Sequence, residues 1–223
     1  PDGAKHIRDA LVKAQKSEPP EPVSETISKK LLVVGGGITG ITAALEAADA
    51  GYEVALVEKQ PELGGFVSGL KTRFPSAAPY TTPESDGFTK QLEAVAYHPK
   101  VQVFTSTTIR AISGQPGMFS VTLDSPGSTT ELRAGAILMA TGWRPYDASR
   151  LNHLGYNASP NIITNVELER MAASGTLTRP SDGKPIRSVL FVQCAGSRDK
   201  DHHSYCSSVC CAATLKHATY IRE

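Results

Sequence analysis

The stretch that decides the fold runs from Leu31 to Glu58 and reads LLVVGGGITGITAALEAADAGYEVALVE. Its first four residues form an apolar run of the kind found in buried parallel strands. The Ala-rich segment from Ile41 to Ala50 has the composition of a helix, and Gly51 follows where helices commonly end. A second apolar run, from Glu53 to Val57, has the character of another strand. The stretch therefore predicts a strand–helix–strand unit with parallel strands.

A glycine motif, G-x-G-x-x-G, joins the first strand to the helix at Gly35, Gly37 and Gly40. In such a motif the first glycine permits the tight turn, and the second lets the backbone approach a pyrophosphate. The third lets helix and strand pack closely, while the helix N-terminus faces the phosphates. Glu58 closes the second strand, where a carboxylate commonly holds ribose hydroxyls and repels a 2′-phosphate. The motif predicts a dinucleotide site.

The rest of the chain predicts a sheet completed by later strands, with a small antiparallel meander. The segment from Ser68 to Ser85 carries three prolines and no clean periodicity, which is typical of an irregular excursion over a binding face. Glycine- and proline-containing breaks at 114–117 and 125–127 separate short strands. The predicted elements are a helix at 88–97 and strands at 101–105, 108–113, 119–123, 130–133 and 136–140.

Composition excludes several classes of protein. The 223 residues include 23 Lys and Arg against 22 Asp and Glu, for a formal net charge of +1. This balance gives no electrostatic reason to expect nucleic acid or an anionic membrane as a partner. No segment has the pattern of a signal peptide, and glycines interrupt the longest apolar stretch, so we expect no membrane insertion. A hydrophobic fraction of 40% fits a globular protein with a core.

All four cysteines are crowded into 18 positions near the end of the chain: Cys194, Cys206, Cys210 and Cys211. A disulfide framework would spread its cysteines, so the crowding predicts a metal or redox site in a reducing, cytoplasmic compartment. If the last helix has begun by Cys206, two of these thiols lie one turn apart. Four soft ligands fit an iron–sulfur cluster, although structural zinc and redox-active thiols stay open.

Glu58 and Lys59 are followed by Gly64-Gly65, and a later strand ends in Ala140-Thr141-Gly142. With these motifs the glycine-rich half resembles the two-dinucleotide-binding-domain flavoproteins, the group around thioredoxin reductase. In that group a Gly-Gly pair after the ribose-binding acid lies along the FAD diphosphate, and an Ala-Thr-Gly turn returns the chain to the cofactor. The resemblance implies that FAD is bound by Gly35, Gly36, Gly37, Ile38, Thr39, Gly40, Glu58, Lys59, Gly64, Gly65, Ala140, Thr141 and Gly142.

Two further strings contain the cysteines, FVQCAGSRD at 191–199 and YCSSVCC at 205–211. Both are similar to strings of the heterodisulfide reductase A-type flavoproteins and their bacterial relatives, including the matching flavoprotein of the quinone-interacting oxidoreductase. The resemblance implies that the four cysteines ligate a [4Fe–4S] cluster. It also implies electron transfer between FAD, this cluster and iron–sulfur partner subunits, in some members by bifurcation, and it is compatible with a homodimer.

The resemblance does not extend to a nicotinamide site. Where thioredoxin reductase begins its NAD-binding domain, this chain has Cys194-Ala195-Gly196 in place of a second G-x-G-x-x-G. Direct NADPH binding by this chain is therefore not expected. No general acid–base pair or nucleophile stands out, so no catalytic residue is assigned, and electron transfer needs none.

The predicted architecture is α/β, with a Rossmann-like FAD-binding domain, the meander and the start of a second domain. A helix at 4–15 and a Pro-rich linker occupy residues 1–29, the FAD-binding domain 30–150, and the cysteine-bearing part 151–223. A strand at 188–193 is expected to lead into Cys194. The final helix, from about Ser207, is still periodic at Glu223, so further fold is expected beyond it.

The function implied is that of an FAD-dependent electron-transfer subunit in a heterodisulfide-reductase-like oxidoreductase complex. Two alternatives stay open at this point. One is a flavin-dependent disulfide reductase that uses Cys210 and Cys211 as thiols. The other is a scaffold subunit whose cysteines bind structural zinc.

Overall fold

A four-stranded parallel sheet forms the centre of the protein. The structure, a computed structural model, describes residues 2–17, 27–75, 78–84 and 87–222. The sheet has the order β3-β2-β1-β7. Its strands are β1 (Leu31–Val34), β2 (Val54–Val57), β3 (Val101–Phe104) and β7 (Ala136–Met139). Since β1 pairs in parallel with both β2 and β7, the predicted parallel strand–helix–strand unit around the glycine motif is confirmed.

Two helices cover one face of this sheet. The five helices of the described chain are α1 (Asp2–Lys16), α2 (Ile38–Asp49), α3 (Gly87–Tyr97), α4 (Asn165–Ala173) and α5 (Cys210–Arg222). Side chains of α2 and α3 such as Ile41 and Val95 pack with Val33 and Leu56 of the sheet in one buried cluster. This face holds α2, and therefore the N-terminus of that helix, against the end of β1.

The antiparallel meander covers the other face of the sheet. It consists of β4 (Thr108–Ser113), β5 (Phe119–Ser125) and β6 (Ser128–Ala134), in that order. Val121 and Leu123 of the meander pack against Leu32, Ala55 and Val57 of the parallel strands. Because both faces of the sheet are covered, β1 and β2 are apolar at every position instead of alternating.

The N-terminal helix contributes little to this core. All side chains described in α1 are exposed, among them Ile7 at 66% and Leu11 at 58%. Most of the predicted Pro-rich linker lies outside the described residues. Within the described ranges, no helix combines the length and apolarity needed to cross a membrane.

Two predicted elements near the cysteines are wrong. Residues 188–193 form no strand, and Leu190 is 87% exposed. An apolar run forms a strand only where a neighbouring strand supplies hydrogen bonds, and no described strand pairs with this one. The final helix begins at Cys210 instead of about Ser207, so Cys206 precedes it. The strand start predicted at 161 is also absent, because Thr164 caps α4 there through a capping box with Glu167.

Candidate dinucleotide site and four-cysteine segment

The glycine turn after β1 is closed tightly against β7. Gly35 has φ +112°, and a Cβ built on it would lie 2.2 Å from the carbonyl oxygen of Ala140. A Cβ on Gly40 would lie 1.8 Å from the carbonyl oxygen of Gly35. Both positions therefore require glycine. At Gly35 the reasons are the positive φ and the close carbonyl group, and at Gly40 the reason is the close approach of α2 to the turn.

The N-terminus of α2 is open to a ligand beside a second glycine turn. Gly37 caps the helix in an extended conformation, without a side-chain hydrogen bond. Gly64 pairs with Gly37 in a short parallel bridge and donates its N–H to the Gly36 carbonyl at 2.7 Å. A Cβ on Gly65 would lie 3.0 Å from the Gly37 Cα. Uncapped helical amides beside side-chain-free backbone form a cradle suited to a pyrophosphate.

Glu58 lies at one end of this cradle. The residue is 8% exposed, and its Oε2 accepts a hydrogen bond from the Gly36 N–H at 2.6 Å. Its Oε1 accepts from the Gln60 N–H at 2.8 Å. The two amides fix the carboxylate beside the glycine turn, in the place where ribose hydroxyls would need an acceptor. The donor set and the space left by the glycines fit a dinucleotide.

The remaining predicted cofactor residues lie around the same carboxyl edge of the sheet. Ile38 and Thr39 begin α2, and Lys59 follows Glu58 on the surface. Ala140 donates its N–H to the Val34 carbonyl at 2.8 Å, which places Thr141 and Gly142 just beyond the turn. The structure thus brings all of these segments together.

The four cysteines are free thiols on the strand-free segment and the start of α5. Burial raises the pKa of the Cys210 thiol, but hydrogen bonds from the Cys194 amide and the Ser207 hydroxyl outweigh it, so that pKa is lowered. The charge of Cys210 is the main cause that raises the pKa of Cys211, with smaller contributions from Cys194 and Cys206. The three other cysteines therefore all act on the electrostatics of Cys211.

The donor chemistry of these cysteines fits an iron–sulfur cluster. Thiolates are the ligands of such clusters, and four free cysteines lie within 18 positions of the chain. In the part of the chain that the structure describes, no three His, Cys, Asp or Glu side chains converge as they would around a single metal ion. The fit therefore rests on the type and number of donors.

The loop between Cys194 and Cys206 is held by an aromatic side chain from the other half of the chain. The Tyr146 hydroxyl lies 2.5 Å from Nδ1 of His202, and its ring meets that of His203 edge-on at 5.2 Å between centroids. Gly196 has φ +76°, and a Cβ there would lie 2.6 Å from the Tyr146 ring. Tyr146 thus docks the cysteine loop beside the segment that follows Gly142.

A buried ionic network links α5 to α4 and to the loop after the second glycine turn. The Glu169 carboxylate of α4 lies 2.9 Å from the Lys216 ammonium and accepts from Nε2 of His217 at 2.7 Å. It also accepts from the Lys71 amide at 2.8 Å, while Lys216 donates to the Thr72 carbonyl at 2.8 Å. Sequence reasoning missed this network, whose members are far apart in the chain and belong to no motif.

Stability should fall in acid because of Glu169. Burial raises the pKa of this carboxyl, but hydrogen bonds from His217, Lys216 and the Lys71 amide outweigh it and lower the pKa from 4.5 to about 2. Since the folded-state pKa is depressed, the stabilisation is complete above about pH 5 and is lost as the pH falls towards 2. Urea unfolding at pH 7, 5, 4 and 3 measures this loss. The difference in the free energy of unfolding between wild type and Glu169→Gln should become smaller as the pH falls over that range. A constant difference would contradict the prediction.

The sequence profile of one protein family covers most of this chain. It is the profile described as pyridine nucleotide-disulphide oxidoreductase, and it matches residues 2–172. The chain belongs to this family. Membership confirms the predicted fold class and the prediction of an oxidoreductase. The family profile includes the glycine turns and Glu58 but ends before Cys194.

Alignments of this chain with individual relatives also cover the part that contains the cysteines. The A-type iron-sulfur subunit of CoB–CoM heterodisulfide reductase from Methanocaldococcus jannaschii is 29% identical over 97% of this chain and 45% of its own length. A subunit of the same type from Methanopyrus kandleri is 27% identical with the same coverage. The predicted resemblance to the heterodisulfide reductase A-type flavoproteins is therefore confirmed. The chain spans less than half the length of these relatives.

Two solved structures match part of this chain. L-proline dehydrogenase from P. horikoshii matches with a TM-score of 0.42 and 22% identity, over 56% of this chain and 25% of that one. A FAD-dependent pyridine nucleotide-disulphide oxidoreductase from Desulfovibrio vulgaris matches with a TM-score of 0.36 and 20% identity, over 61% and 28%.

Proposed function

We propose that this chain is the FAD-binding, cluster-bearing part of an electron-transfer subunit in a heterodisulfide-reductase-like complex. FAD would lie along the cradle of Gly37, Gly64 and Gly65, with its adenosine ribose at Glu58. Family membership and the open N-terminus of α2 support this part of the proposal. When bound, FAD exchanges electrons in pairs or singly, and a [4Fe–4S] cluster exchanges them singly.

One observation carries the proposal: a single network ties the cysteine-bearing helix to the loop of the glycine cradle. Lys216 and Tyr220 of α5 reach Thr72, which follows Gly64 and Gly65 by a few residues, and both contact Glu169. A rigid link between the two candidate cofactor sites is what short-range electron transfer requires. The chain's own residues would fix the distance, orient both groups and exclude water between them.

Partner subunits and the compartment are part of the same proposal. Homologous chains are named as subunits, for example of a ferredoxin:CoB-CoM heterodisulfide reductase in Methanosarcina mazei. We expect iron–sulfur proteins as electron-transfer partners of this chain. Four free cysteines near one another favour a reducing, cytoplasmic compartment.

Analysis of iron, acid-labile sulfide, zinc and flavin per chain after anaerobic purification tests the proposal. We expect about four iron, about four sulfide and about one FAD. Zinc without flavin would overturn the proposal.

Replacing Cys206 by serine should remove iron and sulfide from the protein, because a hydroxyl is a poor ligand for iron in a cluster. FAD should stay bound, since the cradle lies on β1 and α2. Ser204→Ala in the same loop is the matched control and should keep its iron. Full iron content in Cys206→Ser would show that this cysteine is no ligand.

A second function, disulfide reduction by Cys210 and Cys211, is favoured by one observation. Cys210 and Cys211 are adjacent free thiols at the start of α5, and a helix N-terminus favours the reactive thiolate form. This function predicts FAD without iron. It also predicts two thiols per chain that appear only after reduction of the flavin and disappear on oxidation.

A further inference from the structure

An exposed pair of aromatic rings stands at the carboxyl edge of the sheet. Phe66 is 43% and Trp143 57% exposed, yet the two rings contact each other with centroids 4.7 Å apart. They are tilted by 55°. Large aromatic side chains gain most from burial, and adjacent exposed ones mark a surface that binds something.

The position of the pair in the chain points to the cradle. Phe66 directly follows Gly65, which packs on Gly37, and Trp143 directly follows Gly142 beyond β7. The two rings therefore contact each other where the Gly64–Gly65 segment and the segment after β7 meet, beside the glycine turn. An occupant of the cradle that is longer than a pyrophosphate would reach these rings.

The strand order tells which end of a dinucleotide would reach them. Glu58 follows β2, on one side of β1, and Trp143 follows β7, on the other side. The glycine turn at the end of β1 lies between them. With the ribose of the adenosine half held at Glu58 and the pyrophosphate at the turn, the other half of the molecule extends towards Phe66 and Trp143.

We propose that Phe66 and Trp143 form a stacking surface for the isoalloxazine ring of FAD. The inference rests on the proposed function and assigns the ring-binding residues of that site. A flat three-ring system can stack on one of the two tilted rings and contact the other along its edge. Its burial would cover apolar surface that water now contacts. Removal of one stacking partner weakens ring binding in comparable sites by about tenfold or more.

Titration of the flavin-free, 223-residue chain with three probes tests the surface. FAD contains both the isoalloxazine and the adenine ring systems. Riboflavin 5′-phosphate contains only the isoalloxazine, and ADP contains only the adenine half. Trp143→Ala should weaken the binding of FAD and of riboflavin 5′-phosphate about tenfold and leave the dissociation constant of ADP within about twofold. Calorimetry gives all three constants.

Two further variants separate stacking from folding. Trp143→Phe keeps an aromatic ring and should restore FAD affinity to within about threefold of wild type. Tyr97→Ala removes an aromatic ring at the end of α3 that is 86% exposed, more than Trp143, and should change no affinity. Far-ultraviolet circular dichroism checks that each variant is folded.

The outcomes distinguish the two proposals. Loss of ADP affinity in Trp143→Ala, or unchanged affinity for both flavin probes, would overturn the stacking surface while FAD binding stands. Failure of the wild-type chain to bind FAD while binding ADP would overturn the proposed function and the stacking surface together.

Discussion

Replacing Gly40 by alanine should destabilise the whole α/β unit and abolish dinucleotide binding. The new methyl group would lie 1.8 Å from the Gly35 carbonyl oxygen, which is backbone and held by the turn itself. Helix α2 would have to move away from β1, and the buried cluster of Ile41, Ala44 and Val33 would open. Overpacking against side chains costs up to about 3 kcal/mol, and a backbone neighbour has less freedom to yield.

Urea unfolding followed by circular dichroism measures the free energy of unfolding of this variant. Gly69→Ala is the matched control, because a Cβ there meets nothing within 4 Å. The control should differ from wild type by less than about 0.5 kcal/mol. Equal stability of the Gly40→Ala and Gly69→Ala proteins would show that α2 does not approach the turn so closely.

Replacing Glu169 by leucine should be the most damaging change in the second half of the chain. Lys216 and His217 are 7% and 2% exposed, and both depend on this carboxylate. Removing one member of a buried ionic network leaves the other charges uncompensated, at a cost of about 3–5 kcal/mol. We expect a corresponding loss in the free energy of unfolding and, through the weakened hold on α5, lower iron content.

Two variants show whether uncompensated charge is the cause. Adding Lys216→Met to Glu169→Leu removes the stranded cation and should recover part of the stability, since apolar replacement of a whole buried pair is often neutral. Glu53→Gln breaks the Lys30–Glu53 pair, in which the Glu53 side chain is 71% exposed, and should cost less than about 1 kcal/mol. A stable Glu169→Leu protein would contradict the importance of the network.

The first half of the fold could be predicted because its determinants are local. The turn at Gly35–Gly40, the strand before it and the helix after it lie within 20 residues. Their glycines have a steric reason that the structure shows at Gly35 and Gly40. The meander was predicted from breaks at 114–117 and 125–127, which separate β4, β5 and β6.

The second half could be predicted less well because its determinants are distant. Leu190 and its apolar neighbours look like a strand, yet strand formation depends on a partner elsewhere in the chain. The start of α5 at Cys210, and not before Cys206, could not be fixed from helical spacing alone. Glu169 looks like an ordinary surface glutamate of an amphipathic helix, and its burial is decided by α5.

The charged network around Glu169 also constrains the order in which parts of the chain can fold during translation. Glu169 emerges from the ribosome 48 residues before His217, and Lys71 emerges 98 residues before Glu169. Until α5 is made, the carboxylate must stay in water, because burying it without the Lys216 ammonium would be too costly. Closure of the cysteine-bearing segment onto the nucleotide-binding half therefore has to wait until α5 has been translated.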